Sequence, residues 1–152
     1  MGQKARARVF LDTNVILSLL YPEGGAPGEI LRLFIEGRIE VVISRQVLEE
    51  EVRVIREKLP EALPALRTLL INRAPEIVAG APAKDIDRLA AFLDTGDARI
   101  LADAVSARTD CLVTGDRHFL EDPGISKKAG IPIVTPAQFL QKDPGSIGAG
   151  TA

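Results

Sequence analysis

Short, almost wholly apolar runs alternate along the chain with longer amphipathic stretches. The runs are Arg8-Val9-Phe10-Leu11, Glu40-Val41-Val42-Ile43, Cys111-Leu112-Val113-Thr114 and Pro132-Ile133-Val134. They are continuous and β-branched rather than alternating apolar and polar, which is the pattern of a strand covered on both faces. Between them, apolar residues at helical spacing predict helices over about 13–21, 26–37, 45–58, 61–72, 84–93, 97–108 and 136–141. Alternation of buried strands with helices predicts an α/β fold with a mostly parallel central sheet. Residues 73–83 read as a loop or a short edge segment, and Gly24-Gly25-Ala26-Pro27-Gly28 as a turn between two helices. That turn does not match a phosphate-binding glycine loop, and no internal repeat is visible.

Composition narrows the class. The 152 residues, 46% hydrophobic and 26% charged, suit one domain with an ordinary core and leave no room for a second. We expect the domain to occupy 1–141, with a basic arm at 1–7 and a flexible, Gly- and Ser-rich tail at 142–152. The single cysteine, Cys111, excludes an internal disulfide framework and suits a reducing cytoplasm. No apolar run approaches the roughly 20 residues of a membrane span. The apolar run after the basic N-terminus stops at Leu11, short of the about 7–15 residues of a secretory signal. A net charge of −2 excludes a whole-surface electrostatic grip on nucleic acid and leaves local patches open.

In open α/β sheets, ligands sit beyond the carboxyl ends of the strands, and there this sequence delivers acids. The first strand runs directly into Asp12-Thr13-Asn14, and the third into Thr114-Gly115-Asp116. Helix capping or a turn explains Asp12 and Asp116 equally well when each is taken alone. Asp97 begins the inward stripe continued by Ile100, Leu101, Ala104 and Val105, with Asp94 in position to cap its helix. Asp103 falls off that stripe at i,i+4 spacing from Arg99 and reads as a solvated surface charge. After Ser44, the apolar stripe puts Glu51 near its middle, Glu50 at its edge and Glu49 opposite. An edge can face the crevice, which favours Glu50. By periodicity alone Glu51 is the anomaly and stays as runner-up. Carboxylates gathered at one edge repel unless protonated or neutralised. Oxygen donors without a Cys or His cluster point to Mg²⁺ or Mn²⁺, and so to hydrolysis or transfer at phosphorus.

Four stretches in order also resemble one known family. Val9-Phe10-Leu11-Asp12-Thr13-Asn14-Val15, Ser44 through Glu50, Asp94-Thr95-Gly96-Asp97 through Ala104, and Leu112-Val113-Thr114-Gly115-Asp116 are similar to the motifs of PIN-domain nucleases. The ending Ile131 to Leu140 is similar to that family's last strand and helix, so the resemblance covers about residues 7–141. It implies a three-layer α/β/α fold with a sheet of four or five strands. By position it implies Asp12, Glu50, Asp97 and Asp116 as catalytic, metal-holding acids. Thr13, Asn14, Ser44 and Thr114 would be supporting residues. The family register puts its glutamate six residues after the serine, at Glu50; Glu51 stands where relatives carry an apolar or aromatic residue. Many small members are VapC-type toxins that cleave RNA and are silenced by an antitoxin. The resemblance therefore implies an endoribonuclease leaving a 5′-phosphate and a 3′-hydroxyl, a homodimer, and an antitoxin partner inserting near the acids. The apolar helices at 13–37 and 61–72 offer an interface, with core packing as their simpler explanation.

Arg45 and Arg117 lie next to the proposed edge and suit phosphate positioning. His118 reads as a surface or packing histidine. Only 4% of residues are aromatic, which argues against an extended base-stacking platform. A non-catalytic RNA- or protein-binding module of the same fold is the alternative class. A dehalogenase-like phosphatase would need Asp-x-Asp where this chain has Asp12-Thr13-Asn14, and a receiver domain would need a Lys after a late strand.

Overall fold

In the computed structural model of the protein, residues 6–20 and 25–142 are described. Five parallel strands form one sheet: β1 (Ala7–Leu11), β2 (Ile39–Ser44), β3 (Glu76–Val78), β4 (Cys111–Val113) and β5 (Ile133–Val134). Their order is β3-β2-β1-β4-β5. The apolar runs become the central strands because both of their faces are covered; Phe10, Leu11, Val42, Leu112 and Val113 are wholly buried. Removing each such side chain from water is worth about 1.5–3 kcal/mol.

The order steps from β1 toward β2 and β3, then reverses toward β4 and β5. Right-handed crossovers put the helices of the first two connections on one face and the later ones on the other. The reversal leaves a crevice beyond the carboxyl ends of β1 and β4.

The helices are α1 (Thr13–Leu20), α2 (Gly25–Ile35), α3 (Arg45–Lys58), α4 (Leu63–Asn72), α5 (Ala83–Ala90), α6 (Thr95–Ser106), α7 (Arg117–Leu120), α8 (Pro123–Ala129) and α9 (Pro136–Gln141). Local chemistry fixes their ends. The buried Ser44 hydroxyl accepts the Val47 N–H at 3.3 Å to start α3. Asp94 does the same for α6, accepting from Asp97 N at 2.9 Å. Gly130, at φ +76°, closes α8 in the left-handed region that a side chain would disfavour.

The structure departs from the sequence pattern in several places. Of the two readings of residues 73–83, the short edge segment holds: they contain the edge strand β3, paired through Ile43 and Ile77. Gly25–Gly28 is the first turn of α2 rather than a linking turn, and Gly24 lies outside the described residues. A single 3-10 turn, Pro60–Ala62, precedes α4. Helix α8 is an addition: only its Ile125 is buried, too little for periodicity to register. Residues 1–5 of the basic arm and 143–152 of the tail lie outside the described residues. No described helix is long and apolar enough to cross a membrane.

Candidate functional site

At the crevice, β1 ends and Asp12 follows without a turn. Its N–H donates to the Val113 carbonyl at 3.1 Å, so the main chain is still held by β4. The carboxylate is 4% exposed. The Thr114 hydroxyl donates to its Oδ2 at 2.7 Å and the Thr13 N–H to its Oδ1 at 2.6 Å. Burial pushes the Asp12 pKa up, the two hydrogen bonds pull it down, and Asp116 and Glu50 add repulsion. Thr114 is wholly buried and also accepts the Asp116 N–H at 3.0 Å. One hydroxyl therefore ties the two acid-bearing loops together across the switch point.

Asp116 keeps both readings that its sequence allows. Its Oδ1 accepts the His118 N–H at 2.8 Å and caps α7, while its charge is felt at Asp12 and Asp97. Asp97 lies in the first turn of α6 with its side chain 13% exposed. Burial, reinforced by Asp94 and Asp116, pushes its pKa up to about 6.

His118 keeps its surface reading and also approaches two of the acids. It is exposed, yet its Nδ1 lies 3.6 Å from Asp97 Oδ2 and 3.5 Å from Asp116 Oδ1. Donor atoms of Asp94, Asp97 and His118 all lie within 4.8 Å of one another, so the edge carries an imidazole as well as oxygens. Asp12 and Glu50 are not members of that tight group. They join it through neighbours, because Asp12 and Asp97 are each repelled by Asp116, and Asp12 also by Glu50.

The glutamates on α3 separate by burial. Glu49 and Glu50 are exposed, and Glu50 lines a cavity of about 450 Å³ between α3 and α6. Glu51 has no exposed surface, and neither of its carboxylate oxygens has a hydrogen-bond partner. Burial, then repulsion from Glu50 and Asp12, pushes its pKa up to about 7. Thr13 Oγ1 is likewise buried without a partner. Ser44 acts as the α3 cap, and Asn14 is exposed. Arg45 and Arg117 are exposed and in no ion pair among the described residues.

Asp103 requires correction. It is wholly buried and unpaired with Arg99, and its Oδ1 accepts the Ala81 N–H at 2.7 Å. The cause is α5, which packs on α6 and covers a second side of that helix. The sequence did hold a signal: Ala98, Ile100, Leu101, Ala102, Ala104 and Val105 surround most of the helix, and a helix apolar nearly all round is buried.

Comparison with known proteins agrees with the fold. The PIN domain family matches residues 8–118, most of the chain. The chain is a PIN-domain protein. Among solved structures, this PIN domain is similar to the crystal structure of VapBC2 from Rickettsia felis bound to a DNA fragment from their promoter. The two share 18% sequence identity and a TM-score of 0.63 over 83% of this chain and 96% of the other. It is also similar to PAE2754 from Pyrobaculum aerophilum, with 17% identity and a TM-score of 0.62 over 91% and 92% of the two chains. No curated protein matches its sequence.

The donors at the carboxyl edge of this PIN domain suit a hard divalent cation. Asp12 and Asp97 are buried enough for their charged forms to be disfavoured, and Glu51 keeps two oxygens without donors. A bound divalent ion would offset that cost.

Proposed function

We infer that the protein is an Mg²⁺- or Mn²⁺-dependent endoribonuclease of the VapC type, controlled by an antitoxin. The observation that carries this reading is the line of mutually repelling carboxylates at the switch point: Glu51, Glu50, Asp12, Asp116 and Asp97. In this reading Asp12, Glu50, Asp97 and Asp116 hold the cation. When bound, such an ion lowers the pKa of the attacking water and offsets charge on the phosphate.

The chain's own groups do the rest. Thr114, donating to Asp12 Oδ2 and accepting from the Asp116 N–H, fixes that oxygen and ties the Asp116 loop to it. Arg45 and Arg117 contact the RNA backbone phosphates and position the strand. Cleavage leaves a 5′-phosphate and a 3′-hydroxyl.

A homodimer fits an apolar groove of about 370 Å³ between α1, α2 and α4, lined by Leu19, Leu20, Leu31 and Leu69. Ile35 and Ile71, on α2 and α4, are 53% and 70% exposed. A monodisperse monomer in sedimentation at micromolar concentration would refute the dimer. The antitoxin reading is supported by the fold shared with VapBC2.

The decisive test is incubation of a mixed RNA pool with wild type and Asp97→Asn, in Mn²⁺ and in EDTA. Cleavage by wild type in Mn²⁺ alone is the expected result. No cleavage under any condition, or cleavage that survives both EDTA and the substitution, overturns the reading in favour of a non-catalytic module or another chemistry.

A further inference from the structure

The His118 ring stands between two acids without bonding to either. Its Nδ1 lies 3.5 Å from Asp116 Oδ1 and 3.6 Å from Asp97 Oδ2. An N–H donating to a carboxylate sits nearer, at about 2.7–2.9 Å. Asp116 Oδ1 already accepts the His118 main-chain N–H at 2.8 Å, and Asp94 Oδ1 accepts that of Asp97 at 2.9 Å. The imidazole nitrogen is thus left facing carboxylate oxygens from α6 and from the end of β4, with a gap between them. Donor atoms of Asp94, Asp97 and His118 lie within 4.8 Å of one another.

That gap has the width of one shared ion. Two atoms, each about 2.0–2.2 Å from a common cation, stand about 2.8–3.6 Å apart at octahedral or tetrahedral angles. An ion can reach all of these groups. The side chains of His118, Asp116 and Asp97 are 73%, 26% and 13% exposed, and Asp94 is exposed. A nitrogen donor changes which ion is preferred. Mg²⁺ takes oxygen ligands and keeps several waters. Imidazole suits first-row transition ions, whose affinity for a mixed nitrogen and oxygen site rises from Mn²⁺ to Co²⁺. A plain ion pair is the competing explanation for His118. A protonated ring would repel any cation at Asp97 and Asp116, so the two explanations predict opposite effects of removing it.

We propose that His118 Nδ1 is a nitrogen ligand of the ion held at Asp97 and Asp116, with Asp94 as a further oxygen donor, and that it makes the edge select a first-row transition ion over Mg²⁺. This rests on the proposed reading that Asp97 and Asp116 hold a divalent cation, and it adds an imidazole to that acidic set.

The test is calorimetric titration of EDTA-stripped, dialysed protein with Mg²⁺, Mn²⁺ and Co²⁺, for wild type and His118→Ala. The substituted side chain is exposed and Ala keeps the main-chain N–H bonded to Asp116; circular dichroism reports that the variant is folded. The variant should lose at least about tenfold in Mn²⁺ affinity and more for Co²⁺, with Mg²⁺ changed less than about twofold. Pulsed EPR of bound Mn²⁺ should show coupling to a coordinated nitrogen in wild type and none in His118→Ala. Unchanged affinities, an equal loss for all three ions, tighter binding of all three by the variant, no metal binding by wild type, or no nitrogen coupling in wild type overturns the proposal. Cleavage of RNA is read separately. Metal-dependent cleavage by a protein whose Mn²⁺ affinity ignores His118 defeats the nitrogen ligand alone. Nitrogen-coordinated Mn²⁺ in a protein that cleaves no RNA defeats the nuclease reading alone.

Discussion

The two ends of the sheet treat their acids in opposite ways. At the amino end, Arg8 on β1 pairs with Glu76 and donates to the Ala107 carbonyl at 2.9 Å; Glu40 lies 3.9 Å away. The Arg8 N–H also donates to Asp110 Oδ2 at 2.7 Å. Acids from β2, β3 and the entry to β4 are thus gathered around one guanidinium, which locks the strands together. At the carboxyl end, Asp12, Glu50, Glu51, Asp97 and Asp116 lie close enough to repel one another in turn, and among the described residues only His118 forms an ion-pair contact with any of them, approaching Asp97 and Asp116. One end resolves its charge inside the fold. The other holds it unresolved, which costs stability and, in the function proposed above, is where a cation and a substrate would bind. On that proposal, stability and function are divided along the strand axis.

Perturbing each end separately tests that division. The largest effect is expected for Asp12→Asn, which keeps an acceptor for the Thr13 N–H but removes a charge: RNA cleavage should fall at least about a hundredfold. Initial rates on a labelled RNA measure it, and a loss below tenfold would remove Asp12 from the site.

Glu51 should set the pH dependence of stability. Its folded pKa of about 7 exceeds the ordinary 4.5, so the native state holds the proton more tightly than the unfolded chain. That contribution is fully present below about pH 4.5 and is lost as pH rises through about 7. Over the window it amounts to on the order of 3 kcal/mol. Urea unfolding in EDTA at pH 5 and pH 8 should show the loss in wild type and a much flatter profile in Glu51→Gln. Equal slopes in the two proteins would show that Glu51 is stabilised by something other than a proton.

A divalent ion should then recover part of the stability missing at the carboxyl end. Mn²⁺ at a hundred times its dissociation constant stabilises by about 2.7 kcal/mol, seen as a rise in Tm of several degrees. Asp97→Asn should shrink the rise, and an undiminished rise would place the ion elsewhere. The smallest effect belongs to the amino end: Arg8→Met should cost about 1 kcal/mol, since the pairs it breaks are partly exposed. Its cleavage rate per folded molecule should stay at the wild-type value; a hundredfold drop would mean that the two ends are coupled.

Much of this was legible in the chain. Continuous apolar runs marked the three inner strands, β2, β1 and β4, and the edge strand β5, because cover on both faces leaves no alternation to confuse them. Edge strand β3 was harder, since Glu76 and Ile77 are exposed and carry little of the core's pattern. The acids at the strand ends followed from their position directly after apolar runs. Their surroundings did not. His118 lies on the short helix α7 within 3.6 Å of Asp97 in the first turn of α6, a geometry that no spacing encodes. Glu51 announced itself as a charge in mid-stripe, whereas Asp103 was misread because a single-stripe reading assumes one buried side. Helix α6 has two.

The bond from Thr114 to Asp12 spans 102 residues of sequence. Asp12 is synthesised about a hundred residues before Thr114, so its carboxylate gains this anchor only after β4 and the loop beyond it have been made. Contacts of such separation form late in folding. A nascent chain therefore carries Asp12 without its anchor while the intervening hundred residues are made, and the Thr114 hydroxyl organises the acids only once both halves of the sheet exist.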